Sequence, residues 1–465
     1  MRSMRVATVL TLALGLGLGG AAAAAAAAEA TKPVDLVEVY RLALDSDPQF
    51  AASVSANKAA QQLKPQARAG LLPNVALSAD TRYSDQKVKR SASGFSRRAE
   101  DGINAHGYTL SLVQPVFRWD RWIQLGQAGS RVSQANAELD SSAQDLIVRT
   151  AETYFEVLSA QDNLEFRTTT REAFLQQLNQ ALQRFEVGLI AITDVEEARA
   201  GHDLAVAEEI RAKNQLENAH EVLRALVNEY LRDLAPLAGE VPLLMPEPNS
   251  IEQWTDTALA QNRALAASTF AAKVAQDQIR VSNAGHYPTL DLVAGRAYQR
   301  GESPAFDSLT SSVATTASVT SKTYDDFIGL EFNLPIYQGG LVTSQTEQAR
   351  QEYQQALDVL EQTRRETYRS ARQSFLGVQD SISAVNALRT ALGSTQKALE
   401  ATEAGFQVGT RTSVDVLNAQ QRTFESRYNY KNAQYTYILS TLRLKQAAGT
   451  LSPDDLVPIS GWLKH

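Results

Sequence analysis

Hydrophobic and polar residues alternate one for one along four short stretches of this chain. In 75–83, Val75, Leu77, Ala79, Thr81 and Tyr83 fall on one side, and Ala76, Ser78, Asp80 and Arg82 on the other. In 108–116, Tyr108, Leu110, Leu112 and Val116 oppose Thr109, Ser111 and Val113. In 289–299, Leu290, Leu292, Ala294 and Tyr298 share a side that Arg296 interrupts; in 327–335, Ile328, Leu330, Phe332 and Leu334 oppose Glu331 and Asn333. A period of two predicts strands with one apolar and one polar face. The polar stretches at 85–106 and 300–323 predict long, exposed hairpin loops.

Elsewhere the period changes. Ala128, Val132, Ala135, Leu139, Ala143, Leu146, Thr150, Tyr154 and Val157 are spaced alternately by three and four. That spacing draws a narrow seam along one helix face, as in a coiled coil. No proline occurs between Pro115 and Pro236, or between Pro335 and Pro453. Proline costs ~3 kcal/mol inside a helix, so both spans can be long helices. Each has one break, at Val187-Gly188 through Asp194 and at Val408-Gly409 through Asp415. Glycine suits a left-handed helix C-cap. Thr193 or Asp194, and Ser413 or Asp415, suit the N-cap of the returning helix. The outgoing helix, 123–187, would run ~100 Å at 1.5 Å per residue.

These elements occur twice. "RFEVGLIAITDVEEA" at 184–198 returns as "GFQVGTRTSVDVLNA" at 405–419, and "RAGLLPNVAL" at 68–77 returns as "NAGHYPTLDL" at 283–292. The displacement, roughly 215–221 residues, far exceeds the ~20–50 residues of a solenoid repeat. The chain therefore divides into a first repeat over 31–235, with a hairpin at 73–117 and helices over 120–235. A proline-rich connector follows at 236–250. A second repeat covers 251–452, with a hairpin at 287–336 and helices over 340–448, and 453–465 is a C-terminal tail.

Composition adds the compartment. Arg2 and Arg5 precede an apolar run from Val6 to Leu18 and an alanine tract to Ala28. This is the layout of a secretory signal peptide over 1–30, cleaved after Ala28 or Ala30. The alternative, a retained anchor, is disfavoured by the weak hydrophobicity of Ala and Gly. Beyond it no apolar run reaches the ~20 residues of a spanning helix. The chain has no cysteine, which excludes disulfides and cysteine-ligated metal. A formal net charge of −7 argues against non-specific nucleic-acid binding. The five histidines, His106, His202, His220, His286 and His465, form no metal-spaced pair, and no catalytic or cofactor fingerprint appears. No enzyme activity, metal or cofactor is expected.

Strands, helices and export signal then constrain one another. Apolar-out, polar-in strands of this length match a transmembrane β-barrel. Four strands cannot close one, and an open edge in lipid leaves backbone groups unsatisfied at several kcal/mol each. The chain must therefore oligomerise if the strands span a membrane. Trp119, Trp122 and Tyr337 stand where an interface girdle would, and ordinary packing at a strand–helix junction is the alternative role for them. The competing reading is a periplasmic coiled-coil adaptor or scaffold without a pore.

The motifs "VGLIAITDV" (187–195), "GHYPTLDL" (285–292), "LPIYQGG" (334–340) and "VGTRTSVDVL" (408–417) resemble those of the TolC family of outer-membrane channels, and the resemblance covers 31–450. It implies an α+β membrane protein: a homotrimer with four strands per chain in one 12-stranded outer-membrane barrel, continuous with a periplasmic α-helical barrel. It implies an exit duct for proteins or small toxic compounds, working with a periplasmic adaptor and an inner-membrane ABC, RND or MFS pump. A belt would form from the connector and the two terminal segments. The helix turns become periplasmic tips. Gly188, Leu189, Gly409 and Thr410 would dock the adaptor. Asp415 matches the family's aspartate ring, whereas the second ring position is Asn418. Thr193, Asp194 and Arg411 match a latch whose tyrosine position is Phe406, which has no hydroxyl. Plain helix capping is the competing role for Asp194 and Asp415.

Overall fold

The structure, a computed structural model, describes residues 33–92, 95–305 and 317–464. The expected signal peptide lies outside these residues, as does His465. Four strands form one antiparallel sheet in the order β1 (Asn74–Ala92), β2 (Phe95–Phe117), β3 (Thr289–Ala305) and β4 (Ala317–Asn333). β1 and β4 are its edges.

The strands run past the stretches where apolar and polar positions alternate, into segments expected to be loops. β1 pairs with β2 from Asn74↔Val113 to Ala92↔Phe95. The reason is that ladder hydrogen bonds, not an apolar face, hold the outer part together. Those bonds form whatever side chains the strands carry. Pro115 cannot donate a ladder hydrogen bond. It lies inside β2, at a bulge where the register slips between Pro115 and Phe117, a place that tolerates a missing N–H.

The register fixes the faces. Val75, Leu112, Ala294 and Ile328 form one cross-strand row, and Leu77, Leu110, Arg296 and Asp326 form the next. Beyond them Tyr108, Tyr298 and Tyr324 touch in series, with ring centroids 5.4 and 5.0 Å apart. Leu77, Ile328 and Leu330 are 71%, 77% and 67% exposed. A contiguous apolar face this open calls for a covering medium. Arg296, which interrupts that face, meets Asp326 through two bonds of 2.6 and 2.7 Å.

The helices are α1 (Leu36–Ser46), α2 (Pro48–Gln61), α3 (Leu63–Ala69), α4 (Trp119–Glu186), α5 (Ile192–Val227), α6 (Ile251–Gln261), α7 (Arg263–Asn283), α8 (Leu341–Gln407), α9 (Ser413–Ala448) and α10 (Leu456–Ser460). α4, with 68 residues, is ~100 Å long. At its sheet end α4 packs on α2, α3 and α7; at its far end, on α5 and α9. No described helix is long and apolar enough to cross a membrane.

The dense core sits midway along the helices. Leu146, Tyr154, Phe155 and Leu158 of α4 pack with Leu36 and Val39, Leu223, Ile438 and Leu442, and Leu456 and Ile459. Isolated bridges Val34↔Leu234 and Leu237↔Leu463 tie the two terminal segments to the connector. Tyr154 donates its hydroxyl to the Ala235 carbonyl at 2.7 Å. The expected seam is accordingly buried only in part. Leu146, Tyr154 and Val157 are buried, whereas Val132, Ala135, Leu139 and Ala143 are half-buried. The terminal segments and connector cover α4 only at mid-length.

Candidate functional site

The two helix turns lie at the ends of the helical hairpins farthest from the sheet. Both end the outgoing helix with the same motif. At the first, Gly188 N–H donates to the Phe185 carbonyl and Leu189 N–H to the Arg184 carbonyl, each at 2.9 Å. At the second, Gly409 N–H donates to Phe406 at 3.0 Å and Thr410 N–H to Gly405 at 2.8 Å. These paired bonds define a Schellman cap. Gly188 and Gly409 have φ of +74° and +77°, a region that only glycine enters freely.

The returning helices start differently from expectation. α5 is N-capped at Ala191 and α9 at Thr412, rather than at Thr193, Asp194, Ser413 or Asp415. Both helices begin earlier, which moves Asp194 and Asp415 to the third helical position. A carboxylate there reaches back to the N-cap N–H. Asp415 accepts the Thr412 N–H and hydroxyl, both at 2.9 Å, while Thr412 Oγ1 accepts the Asp415 N–H at 3.1 Å. That box is complete. Asp194 accepts the Ala191 N–H at 3.3 Å, but Ala191 has no oxygen to return the bond.

Electrostatics follow this asymmetry. Hydrogen bonds from the Thr412 backbone and then its hydroxyl hold the Asp415 carboxyl below its ordinary range, and the Arg411 charge acts in the same direction. The Arg411 side chain lies against Gly405, where an added Cβ would come within 2.8 Å of Arg411 Cγ. Among the described residues of one chain, no hydrogen bond or salt bridge joins Arg411 to Asp194 or Thr193. Thr193, Asp194, Arg411 and Asn418 are exposed and Asp415 is half-buried. Val187, Leu189 and Val408 are 68%, 73% and 75% exposed, and Phe406 is partly exposed.

The polar face of the sheet carries a pair the sequence reading missed. Arg118, between β2 and α4, grips Asp291 of β3 with bonds of 3.1 and 2.6 Å. This bidentate pair clamps the sheet to the helical layer. The cavity beside it, about 610 Å³, includes Asp120, Gln278, Glu331 and Glu352. Its visible signal was a carboxylate on a polar strand face, Asp291, and a cation just past a strand end, Arg118, but only the register shows that the two meet.

Comparison with known proteins agrees with this architecture. A model of the family described as outer membrane efflux protein matches residues 39–229 and 254–450, one match per repeat. The chain is 36% identical over 429 residues to the outer membrane protein TolC of Escherichia coli, covering 92% of this chain and 85% of that protein. It is 28% identical over 439 residues to the proteases secretion protein PrtF of Dickeya chrysanthemi, covering 94% and 92%. Its fold matches the crystal structure of the Campylobacter jejuni CmeC outer membrane channel with a TM-score of 0.73 at 18% identity, covering 91% and 89%. Channel and secretion proteins match along nearly the whole chain, and the pore-less adaptor reading finds no support among them.

Proposed function

The chain belongs to the outer membrane efflux protein family, and from that premise we propose that three copies join edge to edge into one twelve-stranded barrel above a hollow helical tube closed at its two sets of tips. The protein is an outer-membrane exit duct for secretion and efflux, with its helices in the periplasm. The observation that carries the trimer is the sheet itself. It has four strands, one exposed apolar face, and edges at β1 and β4 that no described strand covers. In lipid such edges must be paired, and a second copy supplies the matching edge.

At the tips, Arg411 of one copy would latch the next through Asp194 and Thr193, since among the described residues of one chain it is joined to neither. Asp415 would line the constriction while serving as the helix cap. With Asn418 in the other ring position, fewer carboxylates converge and cation attraction weakens. The exposed apolar side chains around Gly188, Leu189, Gly409 and Thr410 would receive a periplasmic adaptor, which couples the duct to an inner-membrane pump. The family is described by efflux and the PrtF relative by protease secretion, so this duct would carry small toxic compounds, proteins or both.

Outer-membrane fractions should contain an SDS-resistant trimer that dissociates on heating. In planar bilayers that trimer should conduct poorly, and Arg411→Ser should raise its conductance several-fold. A soluble periplasmic monomer would overturn the duct, and a conductance unchanged by Arg411→Ser would overturn the latch alone.

A further inference from the structure

Outside the strand–helix junction, a cleft of about 490 Å³ opens between α4 and α7, lined by Phe117, Trp119, Trp122, Ile123, Lys273 and Arg280. The register shows which way it faces. Phe117 pairs with Leu290, and Leu290 pairs with Phe332. These three continue the apolar face, whereas the Arg118–Asp291 pair stands on the other. Trp119 and Trp122 are accordingly 41% and 56% exposed. The cleft therefore lies at the helix-side foot of the apolar band, where the membrane reading above puts lipid headgroups.

Its position also keeps it clear of neighbouring copies. The free sheet edges are β1 and β4, so copies join there. The cleft lies under β2 and β3, between two helices of the same chain. Gly126 also borders it, and a Cβ built on Gly126 meets nothing within 4 Å. The space is open rather than packed.

The chemistry is mixed in a specific way. Lys273 and Arg280 are seven residues apart on α7, which puts them on one helix face, ~10 Å apart along the axis. Asp277 stands between them, 3.2 Å from Arg280. Among the described residues no carboxylate pairs with Lys273 at salt-bridge distance. The cleft thus carries two cations and one anion in a chain whose net charge is negative. The lysine's long stem can lie along the groove and bring its ammonium upward. Indole rings favour the same depth, with an apolar body and a polar N–H.

We propose that this cleft binds the phosphate headgroup of an anionic glycerophospholipid from the periplasmic leaflet, held by Lys273 and Arg280, with the upper acyl chains lying on Phe117, Trp119 and Trp122. The inference rests on the membrane reading above. Bound at the joint between sheet and helices, the lipid would fix the height of the barrel in the bilayer.

The test is native mass spectrometry of the full-length trimer in mild detergent, titrated with phosphatidylglycerol. Diacylglycerol and inorganic phosphate are run as separate arms. Phosphatidylglycerol should add saturably, up to three per trimer. The Lys273→Ala/Arg280→Ala double variant should weaken binding roughly thirtyfold, from about 1 kcal/mol per cation near an anionic surface. Gly126→Phe should block the cleft with both cations in place, and Asp277→Asn should tighten binding a few-fold. Equal retention by the double variant, equal retention of diacylglycerol, or displacement by millimolar inorganic phosphate would each overturn the site. A chain that never forms the heat-modifiable trimer sinks the membrane reading instead; a normal trimer without lipid selectivity sinks only this cleft.

Discussion

The turn at 187–191 and the turn at 408–412 have one backbone and two chemistries. Each ends its helix on a glycine with φ near +75° and the same two capping bonds. The side chains then diverge. The first tip carries Arg184 where the second has Gly405, and Ile190 where the second has Arg411. In the second copy the cation has moved from the helix end into the turn, and Gly405 leaves room for it. The second tip is also fully capped by Thr412 and Asp415, whereas the first holds half a cap. Duplication thus preserves what the backbone requires. The side chains are free to specialise, one tip offering an acceptor and the other a donor.

The largest effect should come from attacking what the tips share. Gly188→Val and Gly409→Val each force a β-branched residue to positive φ, at about 1–2 kcal/mol or more. Nothing lies within 4 Å of either missing Cβ, so the cost is backbone strain alone. Both variants should fray their tips equally, read as faster amide exchange at 185–192 or 406–413, and both should weaken adaptor capture. A large effect at only one glycine would show that the two turns are not equivalent.

A smaller, opposite pair of changes should exchange the tips' capping. Thr412→Ala removes the hydroxyl from the complete box and should cost about 1 kcal/mol. Ala191→Thr should add the missing half at the first tip and gain a similar amount. Exchange of the amides of Val195 and Val416, in the first turns of α5 and α9, would follow each change. Protection lost at 412 without a matching gain at 191 would mean that backbone geometry, not the missing oxygen, limits the first cap.

Much of this is legible in the sequence. Periodicity located four strands because burying one face in an apolar medium imposes alternation. The glycines located the breaks because positive φ admits few other residues. Strand ends were not legible: beyond Tyr83 and before Tyr108, pairing continues through ladder bonds that leave no pattern in side-chain polarity. The N-caps were misplaced by one to three residues, since Thr193, Ser413 and the two aspartates are all plausible caps. Only the backbone shows that Thr412 and Ala191 hold that place. Pairs such as Arg296–Asp326 and Arg118–Asp291 depend on register, which a single strand's sequence does not carry.

The smallest difference between the tips should appear on acidification. Hydrogen bonds from Thr412 depress the Asp415 pKa in the folded tip. A depressed carboxylate contributes stability that is fully present above its unfolded pKa, about 3.9, and is lost as pH falls through the lower folded value. The second tip should therefore keep its cap at neutral and mildly acidic pH and loosen only in strong acid. Phe185 and Phe406 occupy matching places and are 40% and 39% exposed, so pepsin can report on both in one digest. Cleavage at Phe406, taken relative to Phe185 in the same digest, should rise as pH falls below the unfolded carboxyl value of about 3.9. Asp415→Asn removes the titrating group and should flatten that rise while raising the starting rate. If the variant keeps the wild-type pH dependence at Phe406, the acid sensitivity of this tip lies elsewhere than in its capping box.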